Sequence, residues 1–252
     1  MKTRKYSELE VKIYPDRTQM GAGAATDAAE CIRMLLNKKD EINCVFAAAP
    51  SQNDFLAALV SDKSIDWTRI NAYHMDDYVG LKQGSPQSFS GFLNNAIFSK
   101  VPFKSVNLLN GEADPETEAR RYDHLLRTHK TDIVLMGIGE NGHIAFNDPG
   151  VADFHDEKFV KIATLDEVCR MQQVHDKCFA TIDDVPKSAF TVTVPGLMAA
   201  DYHFCIVPTK LKACAVKKML EGPISEDCPA SILKTRCNAR LYLDLDSASL
   251  LN

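Results

Sequence analysis

Residues 137–150 read GIGENGHIAFNDPG, placing the imidazole of His143 five residues ahead of the carboxylate of Asp148, in a loop with three glycines among its first six residues. Glycine admits positive φ and lets backbone approach a ligand closely. Such a loop can fold around a small molecule while presenting an imidazole and a carboxylate to it. A second string, HMDDYVG at residues 74–80, sets two adjacent carboxylates, Asp76 and Asp77, at the end of a predicted strand. Neighbouring side chains on a strand point to opposite faces, so one carboxylate is expected to face a ligand while the other caps loop amides. Two carboxylates and an imidazole at neighbouring strand ends supply a base, a proton shuttle and an orienting partner. That set suits proton abstraction beside a carbonyl, and it is also compatible with hydrolysis.

The elements that must position these groups alternate. Apolar spacing predicts helices over residues 26–37, 54–61, 88–99, 115–128, 165–179 and 210–220, and strands over 42–49, 70–75, 106–109, 133–136, 189–194, 203–207 and 239–245. Strand and helix in turn imply an α/β fold, a doubly wound and mostly parallel sheet with helices on both faces. Ligands of such sheets bind outside the carboxyl ends of the strands. Four polar clusters fall there: residues 50–54, 74–80, 137–150 and 208–212. No internal repeat or linker divides the chain, so residues 1–252 are expected to form one domain. The rhythm breaks after Pro149 into a charged stretch and then a helix, which marks residues 151–182 as a candidate lid.

Composition narrows the partners. The 252 residues are 45% hydrophobic and 25% charged, near the globular average, and the net charge of −5 comes with scattered Lys and Arg. A basic stripe for nucleic acid is lacking, so an anionic ligand has to be held locally. The basic residues near Met1 precede no apolar segment of signal-peptide type, and no apolar run reaches membrane-spanning length. The chain is expected to be cytoplasmic, with no membrane partner. None of its eight cysteines forms a Cys-x-x-Cys pair, and the expectation is buried free thiols. His74, His143, His155 and His175 lack a metal-ligand spacing. The Gly-x-Gly-x-x-Gly string at Gly137 is not followed by a helix start, which removes the context that nicotinamide binding requires.

Taken together, residues 74–81 and 137–149 resemble the two signature segments of the glucosamine-6-phosphate deaminase/isomerase family. Further likeness lies at residues 85–89, 106–111 and 185–191, so it runs collinearly, with interruptions, from about the first predicted strand to the last helix. The resemblance implies conversion of an amino sugar phosphate to a ketose phosphate plus ammonia, with a sugar phosphate as small-molecule partner and neither metal nor organic cofactor. By position, Asp76 resembles the base that moves a proton between C2 and C1 of the open-chain sugar. His143 resembles the residue that passes a proton at the ring oxygen, flanked by Asn141 and Asp148, which orient and tune it. Lys212 resembles the lysine that grips the phosphate, and Ser51, Gln52 and Asn53 stand where the family's phosphate loop lies.

Departures from the family pattern are also visible. The loop is normally rich in Thr and Gly, yet here Pro50 removes an N–H, and Asp54 adds a negative charge or N-caps the next helix. The family's lid arginine aligns near Asp176, leaving Arg170 as the nearest candidate for phosphate. Asp148 replaces a glutamate, and Asn141 replaces an aspartate found in some members, so Asn141 orients without ionising. Two other readings fit the same fold: a 6-phosphogluconolactonase-like hydrolase, and a noncatalytic sugar-phosphate sensor. A homo-oligomer is the expectation from symmetry alone.

Overall fold

The computed structural model describes residues 1–82, 84–175 and 177–252. The chain opens with a hairpin of β1 (Lys2–Tyr6) and β2 (Leu9–Tyr14), followed by helix α1 (Arg17–Leu36). Strand β3 (Ile42–Phe46) leads through a 3₁₀ turn into α2 (Asn53–Ser61). Strand β4 (Ile70–His74) runs on, after Met75, into the short β5 (Asp76–Tyr78), and α3 (Phe89–Leu93) continues as a π-helical turn, Asn94–Phe98. Next come β6 (Ser105–Asn107), α4 (Pro115–Thr128) and β7 (Ile133–Met136). After the 137–150 loop follow β8 (Val160–Thr164), α5 (Glu167–His175), β9 (Ser188–Val192) and α6 (Val194–Met198). The chain closes with β10 (Tyr202–Val207), α7 (Ala213–Glu221) and β11 (Ala239–Asp244).

The main sheet has the order β1-β2-β11-β10-β7-β3-β4-β6, parallel throughout except for the β1–β2 hairpin. Strand residues alternate between two cores. Ile42, Cys44, Phe46, Ile133 and Leu135 pack with α1, α2 and α3 on one face. Val45, Val134 and Met136 pack with α4, α6 and α7 on the other. The doubly wound fold read from the alternating pattern is therefore the observed one. From β3 the chain builds outward through β4 to β6, then crosses to β7 on the other side of β3. The β3/β7 junction is the topological switch point at which doubly wound sheets open a binding crevice.

A second, antiparallel sheet, β5-β9-β8, stands at the carboxyl ends of the main strands. It settles the roles of two elements that periodicity left vague. The charged stretch after Pro149 leads into β8, with Val160 and Ala163 buried. Strand β9 stops at Val192 because Thr193 N-caps α6, its hydroxyl accepting from the Gly196 N–H at 3.2 Å, and Pro195 stands in the first turn.

The N-terminus differs most from expectation. Leu9, Val11 and Ile13 are buried with period two, and β2 pairs in parallel with β11 at Val11 and Leu241. Helix α1 begins at Arg17, earlier than the apolar spacing predicts, because Asp16 caps it by accepting from the Gln19 N–H at 2.8 Å. Gly21 and Gly23 lower helix propensity there and mask the start. All eight cysteines are free, but Cys214 and Cys237 are exposed, contrary to the expectation that the thiols are buried.

Candidate active site

The four polar clusters at the strand ends converge on one cleft of ≈ 200 Å³ at the β3/β7 switch point, lined among others by Ser51, Gln52, Asp76, His143 and Lys212. Strand β9 holds the two signature segments together. Its Thr191 is in register with Asp76, and the same hydroxyl accepts from the Phe146 N–H at 3.0 Å. The buried Asn147 amide donates to Ile144 O and Val192 O, each at 2.8 Å. The 137–150 loop is thus bonded into the second sheet.

The adjacent carboxylates divide as the strand pattern requires. Asp77 accepts the backbone N–H groups of Tyr78, Phe89 and Ser90 at 2.9, 3.1 and 3.0 Å, which anchors the start of α3. Asp76 turns into the cleft. Burial, reinforced by the neighbouring Asp77 charge, pushes its pKa well above the ordinary carboxylate value. A carboxylate so destabilised is a stronger proton acceptor than an exposed one.

His143 also faces the cleft, with Nδ1 2.8 Å from Asp148 Oδ1. Asn141 closes this unit: its amide nitrogen donates to Asp148 Oδ1 at 2.8 Å, and its carbonyl accepts the His143 N–H at 3.0 Å. Asp148 is 0% exposed. Burial alone would raise its pKa, but hydrogen bonds from His143, Asn141 and the Cys169 thiol, with the His143 charge, hold it below the ordinary value. The Cys169 thiol is pushed up, by burial first and then by the Asp148 charge. With Nδ1 turned to Asp148, Nε2 is the ring atom left to serve the cleft. Gly139 is a packing requirement: a Cβ there would lie 2.1 Å from His143 Cε1. Ala145, at φ 49°, holds a left-handed conformation rare for a residue with a side chain, on the wall beside His143.

The opposite end is assembled from several segments. Gln52 is 1% exposed, and its amide donates to Ser51 Oγ at 3.0 Å and to Ile206 O of β10 at 3.1 Å, which ties the loop after β3 to the strand feeding Lys212. Lys212 ends the 3₁₀ turn Lys210–Lys212 and is buried in the cleft wall. The turn before it is strained, with Thr209 at φ 80° and its N–H held by both carboxylate oxygens of Asp244, at 3.2 and 3.0 Å.

Two expected binding residues are not brought into the cleft. Asn53 is exposed at the start of α2, its N–H spent on Pro50 O. Arg170 turns to the backbone, its guanidinium donating to Ile182 O at 2.5 Å and Val185 O at 3.0 Å. The position of the family's lid arginine, near Asp176, lies outside the described residues. Asp54 is not an N-cap: α2 has no side-chain cap, and the Asp54 carboxylate pairs with Arg17.

Arg17, Gln172 and Gln173 are among the cleft residues that the sequence does not nominate. Arg17 comes from the first turn of α1. Gln172 and Gln173 are buried on α5, and the side-chain oxygen Oε1 of Gln172 accepts the Glu140 N–H at 2.9 Å. The spacing 169, 172, 173 on one helical face was the available signal for the two glutamines.

Comparison with known proteins gives one consistent picture. The family model described as glucosamine-6-phosphate isomerases/6-phosphogluconolactonase matches residues 15–242. The glucosamine-6-phosphate deaminase of Listeria welshimeri is 35% identical over 212 residues, 84% of this chain and 88% of that one. Its counterpart in Streptococcus equi subsp. zooepidemicus is 35% identical over 189 residues, 75% and 79% of the two chains. Among solved structures, a monomeric glucosamine-6-phosphate deaminase superposes with a TM-score of 0.86 at 31% identity, covering 95% of this chain and 99% of that one. The 6-phosphogluconolactonase of Trypanosoma brucei superposes at 0.81, covering 100% of both chains, but with 14% identity it speaks for the fold alone.

Proposed function

The chain belongs to the family of glucosamine-6-phosphate isomerases and 6-phosphogluconolactonases, and from that premise we propose that it is a deaminating aldose–ketose isomerase. Its substrate is an amino sugar 6-phosphate, glucosamine or galactosamine 6-phosphate, and its products are a ketose 6-phosphate and ammonia. The observation that carries this reading is the joining of a buried, proton-avid carboxylate and a carboxylate-oriented imidazole in one cleft with Lys212.

In this reading the His143 imidazole, held by Asp148 and Asn141, relays the proton of the C1 hydroxyl to the ring oxygen, and the sugar opens to its aldehyde. Asp76 takes the proton from C2 and returns it to C1. A proton passes from the amine nitrogen to O1, the amine-bearing carbon becomes an imine, and water hydrolyses it to the ketone and ammonia. Lys212, with Ser51 and Gln52, binds the phosphate and sets C2 and C1 against Asp76. These groups bind, orient and move protons with residues of the chain itself.

The ≈ 200 Å³ of the cleft is below the ~300 Å³ low end of ligand pockets. Residues 151–182 act as the lid of the single domain, α5 withdrawing Gln172 and Gln173 to admit the sugar. No described helix is long and apolar enough to cross a membrane. Eight free thiols accord with a cytoplasmic enzyme, and a symmetric homo-oligomer is the assembly to look for by sedimentation.

The test is to incubate the protein with glucosamine 6-phosphate and, separately, galactosamine 6-phosphate, following ammonia and ketose phosphate together. Equimolar release from either sugar supports the reading and identifies the epimer. Turnover of 6-phosphogluconolactone without turnover of either amino sugar overturns it.

A further inference from the structure

The phosphate-binding end of the cleft has a charge problem that Lys212 alone does not solve. Asp54 stands at the start of α2, two residues after Gln52, and its carboxylate pairs with Arg17. A phosphate monoester carries close to two negative charges at neutral pH, and the cleft carboxylate Asp76 adds no attraction. Arg170, the guanidinium that the sequence nominates, is turned to the carbonyls of residues 182 and 185.

Arg17 fills this gap. Its Nε donates to Asp54 Oδ2 and its Nη2 to the Pro50 carbonyl, so the guanidinium lies across the loop that follows β3. It lines the same cleft as Ser51 and Lys212. A guanidinium has five N–H donors, and the two bonds leave Nη1 without a partner among the described residues. The placement is built in: Asp16 pins the first turn of α1, and α1 presses on α2 so closely that a Cβ on Gly21 would lie 2.8 Å from Asp54 Cβ and 2.9 Å from Phe55 N. We propose that Arg17 is a phosphate-binding residue, with Asp54 and the Pro50 carbonyl holding its guanidinium so that the remaining N–H groups meet the phosphate of the substrate. The proposal rests on reading the cleft as a sugar-phosphate site. Asp54 then has two effects: it orients Arg17, and it competes with the phosphate for it.

The experiment measures inorganic phosphate as a competitive inhibitor, and by calorimetry as a ligand, on the wild type, Arg17→Gln, Arg17→Lys and Asp54→Asn, with thermal melting of each. Loss of a charge-assisted fork should weaken phosphate ~10- to 100-fold in Arg17→Gln. KM for the amino sugar phosphate should rise in parallel, with the larger part of the effect in KM. Arg17→Lys, which keeps the charge but not the fork, should fall between. Asp54→Asn breaks the same ion pair yet should tighten phosphate binding. The melting temperatures of Arg17→Gln and Asp54→Asn should drop alike, so opposite shifts in phosphate affinity separate binding from bracing. The proposal is overturned if Arg17→Gln holds phosphate within ~2-fold of wild type, or if Asp54→Asn weakens it as much as Arg17→Gln does. A wild type that binds no phosphate at all overturns the sugar-phosphate reading and this proposal with it.

Discussion

The two ends of the cleft are built by different means. At the proposed proton-transfer end, His143, Asn141 and Asp148 lie within eight residues of chain, bonded to one another and pinned through Asn147 and Thr191 to a strand that also pairs with Asp76. At the proposed anion end, Ser51, Gln52, Lys212 and Arg17 come from three separate strand-to-helix junctions, joined by single side-chain bonds such as Gln52 to Ile206 O. The first end is a preorganised local unit, in which each group fixes its neighbour. The second is a convergence of segments whose spacing depends on how helices pack. Substitutions at the first are expected to act on kcat, and at the second on KM.

The largest effect should come from Asp76→Asn, which removes the proton acceptor and should lower kcat by at least ~10²-fold while KM changes little. A loss confined to KM would place Asp76 on the binding side. Next, Lys212→Met should raise KM ~10- to 100-fold with a smaller change in kcat, as expected for one charged contact to phosphate. Gly139→Ala sharpens the contrast. Its Cβ would strike the His143 ring, so turnover should fall ~10-fold, with a loss of ~1–3 kcal/mol in stability by denaturant unfolding.

The smallest effect concerns pH and stability. Asp76, raised by burial and by Asp77, keeps its proton in the folded state after the unfolded chain has released it. Its contribution therefore falls as pH rises from the unfolded value of ~3.9 through the raised folded value. Asp148 has the opposite sign. Its folded pKa is lowered, so its contribution is present above ~3.9 and is lost as pH falls through the folded value. Melting profiles from pH 4 to 8 should show Asp76→Asn gaining over wild type at the alkaline side, by ~2–4 °C for each kcal/mol relieved. Equal profiles would contradict the buried-charge account of Asp76.

How far the sequence discloses these regions follows from the same difference. Alternating strands and helices predict the doubly wound sheet, because buried parallel strands read as apolar runs between helical periods. The 137–150 and 74–80 strings disclose residues that the structure brings into one cleft, because chain neighbours there are spatial neighbours. Arg17 was hidden, since the start of α1 is masked by Gly21 and Gly23 and its contact with Asp54 depends on helix packing. Gln172 and Gln173 required knowing which face of α5 turns inward. Arg170, on the same helix, turns instead to the carbonyls of residues 182 and 185.

The most direct test of the account follows the hydrogen at C2. Amino sugar 6-phosphate deuterated at C2 should lose that label in step with ammonia release, part of it reappearing at C1 of the ketose phosphate, and Asp76→Asn should stop both processes together. Ammonia released with the label still at C2, or label transfer undiminished in Asp76→Asn, would contradict the assignment of the cleft as a proton-transfer site built around Asp76.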